Sequence, residues 1–234
     1  HPPPPGSMVM AHHFHPGMGE RLLASGSLDT RLRDFEALRS AGIDIASVTD
    51  IFPVQRNPGG PKRIEVMKAY YEGAARMSSG DFLVLPSVEA TNLLGGHWDV
   101  LMPRPTLWLE RRAAEEPLLS READGTGTYH LGNAQEAARM IEDEGMLVYM
   151  PHPRTKGSTH YPDAIADSPA FKADYYRGIG WRWGMGSDLS ERRLSEKRVL
   201  PLFDEMNNWM AAKGLNPKYI LSITETFEKE PGDD

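Results

Sequence analysis

The residues able to do chemistry recur along this chain at the ends of short apolar runs. His13 and His15 close "MVMAHHFHP", Asp50 closes "IDIASVTD", and Glu89 lies near the end of "FLVLPSVEA". His97 follows in "GGHWDVLM", His152 ends "MLVYMPHP", and Asp188 stands in "GWRWGMGSD". With no cysteine in the chain, any bound metal must rely on imidazole and carboxylate ligands, and such a donor set suits Zn, Mn or Fe without choosing among them. Alternation along an extended strand places His13 and His15 on one face and turns His12 to the other. Two imidazoles from one strand are half of a metal site. The plain alternative for the pair alone is a tag remnant or a surface pair; Glu89, His97, His152 and Asp188 on other strand ends shift the balance to a metal centre.

These positions need elements to hold them, and the chain alternates strand-like and helix-like segments. "MVMAHHFH" is a first strand, Asp29 to Ala41 carries Leu32, Phe35 and Leu38 near helical spacing with Gly42 as a stop, and "IDIASVTD" is a second strand. "PKRIEVMKAYYEGAARM" starts a helix on Pro61, where a missing N–H costs nothing. "FLVLPSVEA" is a third strand, with "GGHWDVLM" a short strand paired near it. "NAQEAARMIEDEG" is a helix with Asn133 as cap and Glu136 three residues on, followed by the strand "MLVYMPHP". Then come "SPAFKADYYRG", a helix in "SEKRVLPLFDEMNNWMAAKG" and a last strand "YILSITETF". Such alternation predicts βα units around a parallel sheet, whose C-terminal strand edge is where reacting groups sit. About six or seven strands fall short of an eight-unit barrel.

At 234 residues one large α/β domain is expected, with the polyproline opening "HPPPPGS" over residues 1–7 read as a leader, linker or cloning remnant and the domain running over 8–234. The ending "EKEPGDD" suits a tail or a cut before the last barrel elements. A net charge of −7 argues against a nucleic-acid partner, which needs a Lys/Arg stripe. No apolar run is long enough to span a bilayer and no charged-then-apolar leader opens the chain, so a soluble protein is expected, cytoplasmic or exported with its signal removed. Oligomeric state is open.

The motifs "HHFHPG", "IASVTD", "VLPSVEA" with "GGHWDVLM", "GMLVYMPHP" and "GMGSDLS", in this order, resemble the motif series of the polymerase-and-histidinol-phosphatase (PHP) metallohydrolases. The likeness spans Met8 to Ser190, and "HPRTKGSTHYPDA" with "DEMNNW" brings it nearest to the branch that includes carbaryl hydrolase. The resemblance implies a distorted (β/α)7 barrel of the TIM-like kind. It implies one metal held by His13, His15, Glu89 and Asp188 and a second by Glu89, His97 and His152, with Glu89 bridging. Many members hold a third metal through three further histidines. Here no histidine stands between His15 and His97, Ile51 follows Asp50, and Ser190 stands two after Asp188, so a binuclear centre is expected. Asp50 is then expected to orient a ligand histidine rather than bind metal.

Two divalent ions about 3.5 to 4 Å apart activate water and polarise a carbonyl or phosphoryl oxygen, so hydrolysis is the expected reaction. Asp188 and Glu89 form its catalytic core, with Asp188 able to take the proton of the attacking water. His130 in "GTYHLG" is a candidate substrate-side acid, though a lone histidine before a helix is more often structural. Arg154 and Lys156 would grip a carboxylate or phosphate or else form a solvated loop, and His160 with Tyr161 would overhang the pocket. Trp98, Trp108, Trp181 and Trp183 would wall an apolar pocket or fill the core. The expected substrate is a small ester, carbamate or amide. A phosphate ester, or a non-catalytic barrel within a larger protein, is the alternative.

Overall fold

The computed structural model describes residues 4–15, 32–50, 61–91, 93–154, 156–181, 200–222 and 226–227, with the backbone alone at 32–34, 50, 61, 91, 156, 181, 222, 226 and 227. Two compact units make up the chain: residues 1–89, 101–131 and 224–234 in one, and 90–100 with 132–223 in the other.

The first unit carries strands β1 (Met10–His15), β2 (Ile45–Asp50) and β3 (Leu83–Thr91, to Glu89), with β11 (Thr226–Phe227) against β1. All four run parallel, and the register sets Met10 beside Ile45 and Ile45 beside Leu83. Ala46, Ser47, Val48 and Thr49 are all buried, so β2 is covered on both faces, as parallel strands commonly are. Helix α1 (Leu32–Ser40) turns Phe35 inward, edge-on to Phe14 at 6.1 Å and Phe82 at 6.3 Å. Helix α2 (Pro61–Met77) buries Val66, Met67, Tyr70, Tyr71 and Ala74, a stripe at helical spacing. Two of these residues also fix the helix by hydrogen bonds. Tyr70 Oη donates to the Val48 carbonyl at 2.6 Å or the Ser87 carbonyl at 2.9 Å, and Tyr71 Oη reaches the Thr106 carbonyl at 2.6 Å.

Residues 105–130, which carry no clear periodic signal, form a small three-stranded sheet, β5 (Leu107–Leu109), β7 (Gly127–His130) and β6 (Leu119–Arg121) in that order. Strands of three or four residues are too short to show alternation. Arg63, buried in the first turns of α2, ties the helix to this sheet through Glu110 at 3.0 Å and lies 5.7 Å over the Trp108 ring.

The second unit holds β4 (His97–Leu101, from its first four residues), β8 (Leu147–Met150), β9 (Tyr176–Trp181) and β10 (Tyr219–Ser222), ordered β4-β8-β9-β10 with β8, β9 and β10 parallel. Gly178 lets β10 close on β9: a Cβ there would stand 2.6 Å from the Tyr219 nitrogen. Helix α3 (Ala134–Asp143) is capped by Asn133, whose side chain accepts from the Glu136 N–H at 3.0 Å. The Glu136 carboxylate accepts from Gly132 N–H at 2.6 Å, one residue before the cap itself. Helix α5 (Leu200–Ala211) buries Leu202, Met206 and Met210. Past the end of short helix α4 (Pro169–Lys172) the Ala173 and Tyr176 carbonyls accept from Lys218 Nζ at 2.8 and 2.6 Å, and burial draws the Lys218 pKa down to about 8.

Each unit is mixed α/β with a parallel main sheet. Among the described residues no helix is long and apolar enough to cross a membrane.

Candidate metal centre

In the first unit the structure brings His13, His15 and Glu89 together. All three are buried, and one ligand atom from each falls within 4.8 Å of the others. The Nε2 atoms of His13 and His15 both stand 3.7 Å from the same oxygen of Glu89, and the two rings meet edge to face with centroids 4.6 Å apart.

Simple alternation does not produce this meeting. Between the paired positions Ala11–Ala46 and Phe14–Val48, β1 advances three residues while β2 advances two. The extra residue is a bulge, and within it His13 takes φ 65°, a left-handed backbone that non-glycine residues rarely adopt. The expectation of an undistorted period-two strand therefore gives way to a bulge that re-aims His13. Strain of this kind persists where surrounding structure holds it, and functional sites are where it collects. His12 is buried beside the bulge, and desolvation, with the charge of His13 next to it, pushes its pKa down to about 3.

Both separations to Glu89 pass a simple test for one ion. Donors each about 2.1 Å from a metal can be at most about 4.2 Å apart. The two 3.7 Å separations lie inside that limit and are too long for direct hydrogen bonds.

The second unit brings His97 and His152 together, ring centroids 5.2 Å apart and near-perpendicular at 74°. His97 opens β4, and its backbone N–H donates to Ser158 Oγ at 3.0 Å. His152 lies two residues beyond β8 rather than at its end, with φ 34°. Arg154 is also left-handed, at φ 57°. Its guanidinium holds Asp163 through Nε at 2.9 Å and Nη2 at 2.6 Å, and also pairs with Glu205 of α5. The fork on Asp163, ahead of Glu205, raises the Arg154 pKa, and Asp163 is held below the usual carboxylate range mainly by the same bond.

The remaining candidates fall in varied places. Asp50 ends β2, with its side chain outside the described residues, as is that of Lys156. Asp188, Trp183, Ile51 and Ser190 lie outside the described residues entirely. His160 is exposed. Trp98 and Trp108 are fully buried core side chains. His130 sits on β7 with Nε2 2.9 Å from Ser120 Oγ and Nδ1 3.7 Å from Glu116. The sequence of atoms is that of a nucleophile, base and carboxylate row. The carboxylate is beyond hydrogen-bond range, and Ser120 Oγ also faces the Thr128 carbonyl at 3.4 Å. A groove of about 570 Å³ beside α2, lined by Lys68, Tyr71, Glu72 and Asp124 among others, contains none of the candidate site residues.

Three features went unmarked in the sequence. Asp99, fully buried two residues after His97, accepts a hydrogen bond from Tyr149; the polar, apolar, polar order of "HWD" was its one visible signal. The Arg154 ion pairs and the packing of Gly157 against His97 bring together residues distant in sequence and left no local trace.

No protein-family model matches this sequence, and no curated protein matches it. Among solved structures the chain aligns with a two-domain protein from Bacteroides vulgatus ATCC 8482 described as containing a predicted PHP-like metal-dependent phosphoesterase. The identity is 15% and the TM-score 0.43. The alignment covers 92% of this chain and 52% of that one, so the chain spans about half of its length. At this identity and TM-score the likeness fixes neither fold nor function.

Proposed function

We propose that this chain is a metal-dependent hydrolase of the PHP type, its barrel running from residue 8 onward. His13, His15, Glu89 and Asp188 would hold one divalent ion, and Glu89, His97 and His152 a second, with Glu89 shared. The observation that carries this reading is the convergence of three buried donors, His13, His15 and Glu89, held by a strained bulge in β1. The pairing of His97 with His152 supplies two further donors of the same kind. Ions of Zn, Mn or Fe would activate water and polarise the substrate's acyl or phosphoryl oxygen.

The chain's own groups have distinct tasks. Asp188 would accept the proton of the attacking water on a carboxylate oxygen, while Glu89 would serve as a metal ligand from β3. Lys156 and His160 would contact the substrate. A small ester, carbamate or amide is favoured over a phosphate ester, because Arg154 already faces two carboxylates and offers little charge to a phosphate dianion. The motif likeness to the branch that includes carbaryl hydrolase agrees with that choice.

Elemental mass spectrometry on protein purified without chelator tests the centre. About two equivalents, falling to about one in His152→Ala and lower in Glu89→Gln, are expected. No bound metal after incubation with Zn or Mn would end the hydrolase reading. A nitrophenyl carboxylic ester assayed beside the matching phosphate monoester separates the chemistries, and turnover of the phosphate alone would reassign the protein as a phosphoesterase.

A further inference from the structure

We infer that Gly157 and the Arg154–Asp163–Glu205 cluster form a backrest that fixes the His97 imidazole for metal capture. Arg154 then acts as a positioning residue and not as a grip on substrate. The inference rests on the metal centre proposed above.

Gly157 is pressed against the His97 ring. A methyl built on it would overlap the Nε2 edge, with even the ring's Cε1 only 2.7 Å away. Glycine is therefore required here for lack of space, since the backbone itself is not left-handed. The next residue, Ser158, is fully buried and takes the His97 N–H on its hydroxyl at 3.0 Å, so ring and backbone of His97 are both seated on adjacent residues of one segment. Gly95 and Gly96, both at positive φ, let Tyr161 of the same segment close over them: a Cβ at Gly95 would stand 2.6 Å from Tyr161 Cε1.

The segment is also tied at its start. Arg154 N–H donates to the Tyr161 carbonyl at 2.9 Å, which closes residues 154–161 into a ring, and its guanidinium joins Asp163 to Glu205 on α5. His152, two residues earlier, enters the same turn at φ 34°. Two left-handed non-glycine residues so close in sequence need such an anchor to persist, and one of them, His152, is itself a proposed ligand. Partners of this outer kind orient metal ligands, and losing one costs about 10- to 100-fold in metal affinity.

The test is a Zn²⁺ titration of chelator-stripped parent, Gly157→Ala and Glu205→Gln, read by competition with a chromophoric chelator and repeated with Co²⁺ for its visible spectrum. Gly157→Ala should weaken the equivalent held by His97 and His152 about tenfold or more and alter its Co²⁺ bands. The equivalent held at His13, His15 and Glu89 should keep its affinity within about twofold. Glu205→Gln, which inserts nothing and lies on the exposed side of α5, should weaken the same equivalent. Parent-like affinity and spectrum in both variants would overturn the inference. If the parent itself takes up no metal, the proposed function fails, and the backrest is then decided by the His97 ring signals in NMR of metal-free protein. Movement in both variants supports it, and unmoved signals refute it.

Discussion

Removing the partner of a buried charge is the sharpest perturbation this structure offers. Arg63 is 1% exposed and Glu110, its carboxylate partner, has a side chain 8% exposed, with 3.0 Å between them. At an effective dielectric of about 20, unit charges at that separation attract by about 5.5 kcal/mol, and removing one partner of such a pair typically costs about 3–5 kcal/mol. Among the described residues Arg63 has little else to turn to, because its Nε and Nη1 are buried without hydrogen-bond partners and its guanidinium lies over the Trp108 face. Glu110→Gln should therefore destabilise by about 3–5 kcal/mol, which for a chain of this size is a melting shift of about 6–20 °C. The double variant Arg63→Met/Glu110→Leu, which leaves no charge buried, should return to within about 1 kcal/mol of the parent or exceed it. Urea unfolding followed by far-UV circular dichroism across the full cycle measures each value. A loss under about 1 kcal/mol for Glu110→Gln would mean that water reaches the guanidinium and that α2 is not tied to the small sheet by this pair.

Other outcomes follow from single residues. His13→Ala should lower the metal content of the purified protein while His130→Asn leaves it unchanged, as elemental analysis of both would show; equal losses would place His130 in the centre. The depressed pKa of His12 sets an acid limit: between about 3 and its ordinary 6.5 the unfolded chain binds more protons, so stability falls as pH drops through that window. The slope is up to about 1.4 kcal/mol per pH unit, and His12→Phe should flatten it in denaturation measured from pH 7 to 4. Asn133→Ala, which strips the cap from α3, should cost about 1 kcal/mol in the same assay, and a neutral result would show that the Glu136 bond to Gly132 suffices alone.

Local pattern decided a good deal here. The helix beginning at Pro61, the Asn133 cap, and the strands around Val48, Glu89 and Val148 could all be drawn from spacing and end signals, because periodicity and capping are properties of neighbouring residues. The candidate donors are legible in the same way: without cysteine, the residues at strand ends that could ligate a metal include His13, His15 and Glu89, which the fold brings together. Tertiary structure alone decided how they meet. The bulge that re-aims His13 arises from unequal steps between two paired strands, which neither strand encodes separately. Three-residue strands at Leu107, Leu119 and Gly127 exist only because they pair with each other. Arg154 carries the same side chain whether it meets a substrate anion or two carboxylates, and only the approach of Asp163 and of Glu205, 51 residues on, settles which. Residue type fixes what a group can do, while its partners are chosen by long-range packing.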